Sequence, residues 1–282
     1  ITRAALAHGL PEKDQGDEAY VEKHQLLCGY AHLPVNVINF VVIAASVAAL
    51  EEGDTGRHVD VVVGKSPRVT KDSLRAMLGH YAETLHKWFD RILLQCPVED
   101  AKPGTFEFDA VVVSEASKPA FGARTLRIVN QGVKLGLLLT MTHPFVLGTG
   151  DSSLAEILSA GKVFIYDAMP HKQDTVTSLA ALCSKLKLIN LLKLLEATSV
   201  RPFPFKDALQ NIRGNRSLAL GDDGLALARL VQAAVPEARA LSEHVASKLD
   251  LAPVKLAKLA RMTARSRARE LAERLRSATE GL

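Results

Sequence analysis

The chain has 282 residues, 48% of them hydrophobic and 23% charged, with a formal net charge of +4. That is ample material for a large core, which excludes wholesale disorder, and the charge is too mild by itself to argue for nucleic acid. Three scattered cysteines, Cys28, Cys96 and Cys183, offer neither a disulfide framework nor a paired-cysteine metal motif, and they read as buried thiols in a reducing, cytoplasmic compartment.

Ile1-Thr-Arg-Ala carries neither an initiating Met nor a basic-then-apolar leader. The chain is therefore expected to be a piece of a longer protein, with residues 1–22 an N-terminal extension or the remnant of an upstream part. Residues 26–50 are free of charge but include Tyr30, His32, Pro34, Asn36, Asn39 and Ser46. Their continuous apolar portion falls short of the roughly 20 residues a membrane span needs, so no transmembrane span is expected. They read instead as a buried strand over 26–28 and a buried helix over 35–50. A second strand follows over 58–63, and a helix over 73–89 carries Leu74, Met77, Leu78, Tyr81, Leu85 and Trp88 toward the core. Short strands at 91–95, 110–113 and 125–129 lead to a helix over 133–141. Val- and Ile-rich strands separated by helices predict an α/β domain over residues 23–195, its parallel sheet covered by helices on both faces. Ligands on such sheets bind beyond the carboxyl ends of the strands.

Residues 145–166 write a strand, a polar glycine-containing turn, a short helix and a second strand in immediate succession. Phe145 to Leu147 is a buried-strand run, and Gly148-Thr149-Gly150 allows a tight turn and close backbone approach. Asp151 or Ser152 can cap the helix, Leu154, Ile157 and Leu158 give it one apolar face, and Gly161 stops it. Backbone N–H groups and the positive helix end meet at Ser152 and Ser153, where a phosphate or diphosphate would sit. An ordinary βα turn with Ser and Asp as caps, and Glu156 as a solvated helix residue, is the plainer reading. The spacing is neither the dinucleotide fingerprint nor a P-loop, which demotes hydride transfer and P-loop ATP hydrolysis.

Gly150, Ser153, Glu156 and Gly161-Lys162 together resemble the donor-binding segment of GT-B glycosyltransferases. There, a small-residue turn, a Ser/Thr at a helix start, a Glu three residues later and a Gly-Lys/Leu-Pro turn recur together. Val163 stands where the family usually has Pro. The similarity is best over residues 125–182, looser back to residue 26 and absent beyond about residue 195. Gly150-Asp-Ser-Ser-Leu154 is also, more weakly, similar to the Gly-Glu-Asp-Ser-Phe segment of protein-arginine rhamnosyltransferases. The resemblance implies a Rossmann-like domain whose helix start, at Gly150, Asp151, Ser152 and Ser153, holds the diphosphate of a nucleotide-sugar while Glu156 grips ribose hydroxyls. It places Met169-Pro-His-Lys-Gln-Asp174 against the donor sugar and Asn130 or Gln131 at the nucleotide base.

In the loop ending at Asp174, Lys172 could neutralise a diphosphate, and Gln173 and Asp174 could bond sugar hydroxyls. His171 is the candidate base, or a solvated loop histidine, and His143 before Pro144 is a further structural or catalytic histidine. Tyr30 stacks on a base or sugar, or is merely half-buried. The family implies a nucleotide-sugar as substrate, no cofactor and no metal, and no ligand cluster for one is visible in the sequence.

Beyond residue 195, Arg201-Pro-Phe-Pro-Phe205 breaks any helix, and residues 196–282 form a helical C-terminal region with candidate helices at 225–234, 238–249 and 253–275. The last carries Lys255, Lys258, Arg261, Arg265, Arg267, Arg269, Arg274 and Arg276 against Glu270 and Glu273. This basic helix contacts an acidic partner or surface, or is simply solvated, and no aromatic residue interleaves its charges for base stacking. The expected function is a metal-independent GT-B glycosyltransferase, or its donor-binding half, acting on an acceptor that the sequence does not name, a protein among the options. The alternatives are a sugar-nucleotide epimerase, or a non-enzymatic interaction module with a degenerate donor-binding fold.

Overall fold

A computed structural model of the chain describes residues 16–52, 56–64, 66–98, 107–117, 123–131, 139, 142–167, 172–199 and 223–248. The expected helix over 253–275, and that over 133–141 apart from residue 139, lie outside the described residues. The chain divides into two compact units, Ile1–Leu241 and Ser242–Leu282.

The architecture is α/β. Seven strands, β1 (His24–Gly29), β2 (His58–Gly64), β3 (Arg91–Pro97), β4 (Phe108–Glu115), β5 (Thr125–Gln131), β6 (Phe145–Gly148) and β7 (Val163–Tyr166), form one sheet in the order β4-β3-β5-β2-β1-β6-β7. The described helices are α1 (Asp17–Lys23), α2 (Pro34–Glu52), α3 (Lys71–His80), α4 (Ala82–Leu85), α5 (Asp151–Ser159), α6 (Gln173–Lys185), α7 (Ile189–Thr198) and α8 (Asp223–Lys248). Strands β1, β6 and β7 are buried along their whole length, as strands of a sheet covered by helices are.

The sheet is parallel except at its edge, where β4 runs antiparallel to β3. This corrects the expectation of a wholly parallel sheet. Only residues 98–107 separate the two strands, and a parallel return needs a crossover of about a dozen residues or more. The exposed edge carries charge pairs, Lys71 with Asp109 and Arg91 with Glu115, which discourage pairing with another strand.

Two predicted helices divide differently. The helix expected over 73–89 is α3 followed by the single turn α4, because Tyr81, at φ −93° and ψ 4°, leaves helical geometry while its N–H still bonds the last carbonyls of α3. The two helices expected over 225–234 and 238–249 are one, α8, with Pro236 inside it. The sacrificed backbone bond is outweighed by an Ala- and Leu-rich stretch, and the next residue, Glu237, has a partner: its carboxylate accepts Leu191 N–H at 2.8 Å and Asn190 Nδ2 at 2.8 Å, capping α7 from outside.

Helix α2 forms the centre of the core. Among the described residues one stretch, Pro34–Glu51, is long and apolar enough to cross a membrane by length and composition, and 67% of it is buried inside the protein. Its apolar residues surround the helix because β1, β2 and β6 cover one side and α8 another, where a Cβ on Gly224 would sit 3.2 Å from Ser46 Oγ.

The amino ends of β1, β2 and β5 are joined by a buried polar network that the sequence did not signal. Arg127 donates to both oxygens of fully buried Asp60, at 2.9 and 2.6 Å, and Tyr20 Oη donates to the same carboxylate at 2.7 Å. His24 Nδ1 lies 3.3 Å from Asp60, and the His24 ring stacks on Tyr20 at 4.8 Å between centroids. Tyr20 belongs to α1, so the boundary expected between residues 22 and 23 falls inside a helix whose side chain reaches the core.

Candidate functional site

Strand β1 lies between β2 and β6: the chain leaves β1 on one side and returns on the other only at β6. In such sheets the crevice beyond the carboxyl ends at that reversal, here those of β1 and β6, is the usual ligand position. The two strands meet closely. Tyr30 N–H donates to Leu147 O at 2.9 Å, and a Cβ on Gly29 would collide with Leu147.

Two helix starts face this crevice, and they are not equivalent. The start of α2 already holds an anion. Asp167, fully buried just after β7, accepts His32 N–H at 2.6 Å and Leu33 N–H at 3.4 Å on Oδ2, and Asn36 Nδ2 at 2.6 Å on Oδ1. Its carboxylate takes the N–H groups of the two residues that lead into α2 and lies at that helix's positive end. The Asp167 backbone is fixed as well, its N–H bonded to Gly148 O at 2.8 Å and its carbonyl accepting Thr149 Oγ1 at 3.0 Å. A phosphate at α2 would have to displace the protein's own carboxylate.

Among the described residues, the start of α5 has no such occupant. Its cap position is Gly150, at φ 79° and ψ 157°, a conformation open in practice only to glycine, and it makes no side-chain cap bond. This corrects the expectation that Asp151 or Ser152 caps the helix, since both are already helical. The first intrahelical bond runs from Leu154 N–H to Gly150 O at 3.0 Å, so helix geometry leaves the N–H groups of Asp151, Ser152 and Ser153 over. A Cβ on Gly150 would meet nothing within 4 Å, so the space beside the cap residue is open. A Cβ on Gly148 would strike Ile157, which shows how tightly α5 is drawn onto β6.

Ser152 and Glu156 are exposed and Ser153 is half-buried. Strands β6 and β7 are parallel neighbours, so α5, which follows β6, and α6, which follows β7, begin at the same edge of the sheet. Lys172 is the cap residue of α6, with Gln173 and Asp174 in its first turn. His171 lies outside the described residues. Tyr30 is half-buried over β2, where a Cβ on Gly64 would collide with its ring, and it meets His32 edge-on at 5.2 Å.

Asn130 is not brought to this group. It is the last residue but one of β5, and β2 and β1 lie between it and β6, so it sits about 14 Å across the sheet from the α5 turn. His143 is structural: it precedes β6 at the opposite, amino edge and bonds Glu51 at 3.0 Å. The three cysteines are free and buried, as expected, and burial pushes the thiols of Cys28 and Cys183 up to about 11, which keeps them protonated.

Among the described residues, no group of three or more His, Cys, Asp or Glu side chains is placed to hold a metal ion. The sequence anticipated the α5 turn but not Asp167, which it showed only as a polar residue after a strand. No protein-family model matches the chain, and no curated protein matches it either.

Proposed function

We propose that this chain is the donor-binding part of a GT-B-type glycosyltransferase, built on a Rossmann-like domain with helices on both faces of its sheet. The observation that supports the reading is the contrast between the two helix starts at the crevice: α2 is occupied by Asp167, while among the described residues no side chain caps α5 and the space beside Gly150 is open. A nucleoside diphosphate bound there would lie against the N–H groups of residues 151–153. Glu156, one turn along, would accept from ribose hydroxyls, and Lys172 would add positive charge from α6.

The chemistry follows from those groups. As the bond between the sugar's anomeric carbon and the diphosphate oxygen breaks, negative charge grows on the departing diphosphate, and preorganised N–H groups stabilise it without reorganising. The general base that removes the acceptor's proton belongs to a part of the enzyme outside this group of residues. No divalent ion is required by this arrangement, and the nucleotide-sugar is a substrate rather than a cofactor.

The test is a thermal-shift panel of nucleoside diphosphates and their sugar conjugates, with a chelator present. At a concentration one hundred times its Kd, a ligand specific to the folded state adds about 2.7 kcal/mol, so the true donor should stand out clearly. Transfer is then read as release of nucleoside diphosphate that depends on an acceptor. Conversion of the sugar without release would mark an epimerase, and a panel in which no nucleotide raises the midpoint would leave only the non-enzymatic module.

A further inference from the structure

A second concavity, with a volume of ≈ 870 Å³, lies where β2, β3 and β5 end and β4 begins. Its apolar wall includes Val69, Val98 and Phe108. Ser66 and Asn130 also line it and are 3% and 5% exposed, yet among the described residues Ser66 Oγ and Asn130 Oδ1 have no hydrogen-bond partner. Buried polar atoms are nearly always satisfied, so two orphans lining one cleft point to a ligand.

The side chains of the cleft offer acceptors and hold their donors in other bonds. Asn130 Nδ2 donates to Val69 O at 3.3 Å, which fixes the amide orientation and leaves Oδ1 as a pure acceptor. Ser66 Oγ can accept as well. Thr70 and Ser73 cap the start of α3 reciprocally, so that helix end presents no spare anion site. Lys71, the cationic side chain of the lining, is paired with Asp109, and Asp72 adds a second carboxylate. Two carboxylates thus face one ammonium. The positive end of α3 offsets only about half a charge, so the lining stays negative and disfavours an anion. A protonated primary amine has three donors and no acceptor, which is the complement of such a lining.

We propose that this cleft binds a primary amine on an apolar body, the ammonium donating to Asn130 Oδ1 and Ser66 Oγ while the hydrocarbon lies along Val98 and Phe108. The proposal goes beyond the donor reading. It uses no group of α5 and no nucleotide, and it holds or fails independently.

The test titrates matched small probes into the full chain, followed by ligand-observed nuclear magnetic resonance. The probes are hexylamine and phenethylamine, each beside the alcohol and the carboxylate on the same hydrocarbon. At least one amine binds at millimolar concentration, its alcohol binds about tenfold more weakly, the scale separating a charged from a neutral hydrogen bond, and its carboxylate does not bind. Asn130→Leu weakens the amine about tenfold. Asp72→Asn, at an exposed position, weakens the amine about threefold and leaves the alcohol unchanged. Val98→Trp guards against a folding artefact: Val98 is 36% exposed at the cleft, so the indole can fill the cleft without disturbing the buried floor. It abolishes amine binding in a protein whose circular dichroism is unchanged. Ser153→Asp leaves amine binding intact. The proposal is overturned if neither amine binds at millimolar concentration, which would leave Ser66 and Asn130 holding water alone, if the alcohol or the carboxylate binds as well as the amine, if folded Val98→Trp binds the amine normally, or if Ser153→Asp removes binding and so assigns the amine to α5.

Discussion

Asp167→Ala is expected to lose about 3–5 kcal/mol of stability, because three donors converge on one carboxylate that no water reaches. Each buried donor left without an acceptor costs about 1–3 kcal/mol, and the positive end of α2 loses its compensating charge. For a domain of this size, the thermal midpoint should fall by roughly 6–20 °C. Asp167→Asn keeps an acceptor for one of the donors and should fall between the two. Because the substitution empties a carboxylate-sized position, added acetate should recover part of the loss in Asp167→Ala and leave the parent unaffected. A midpoint for Asp167→Ala within 2 °C of the parent would mean that the crevice floor is not organised by this residue.

The second large effect is at the opposite edge of the sheet. Burial alone would raise the Asp60 carboxyl, but the charge of Arg127 overrides it, aided by the Arg127 hydrogen bonds and by the nearby His24 ring, and holds the group at about 2. A carboxylate depressed in the folded state contributes stability that is complete above its unfolded value of 3.8 and is lost as the pH falls toward about 2. Stability measured by denaturant should therefore drop between pH 4 and pH 2 in the parent, and this part of the drop should be absent from Asp60→Asn. At neutral pH, Asp60→Asn strands the buried Arg127 guanidinium and should cost about 3–5 kcal/mol. Replacing Asp60 and Arg127 together by apolar residues should cost less than the sum of the single changes. Additive losses would show that the two side chains do not act as a pair.

What the sequence made legible was local. Runs such as Val61-Val62-Val63 can only be buried strands, and residues 145–166 folded as their punctuation indicated, with β6, α5 and β7 in the expected places. The contacts between distant segments were not legible. Asp167 lies 135 residues from His32, and nothing local separates a carboxylate that caps another helix from one that faces water. Strand order was equally hidden. The chain reads β3, β4, β5, but β5 inserts between β3 and β2, and that insertion carries Asn130 away from the α5 turn. Asp60 and Arg127 stood in the sequence as polar interruptions of two strands, and only the parallel register of β2 with β5 places Asp60 opposite Arg127.

The central claim, that the start of α5 is the anion site, is tested most directly by titrating nucleoside diphosphate into the parent and into Ser153→Asp by calorimetry. Aspartate in the first turn of a helix favours the helix, so the variant should remain folded, and any loss of binding reports on the site itself. A like charge against the diphosphate, together with the loss of a hydroxyl donor, is expected to weaken binding by at least about tenfold, on the order of 1.4 kcal/mol. Affinity unchanged in a folded Ser153→Asp protein would contradict the account, because no diphosphate could then be lying against residues 151–153.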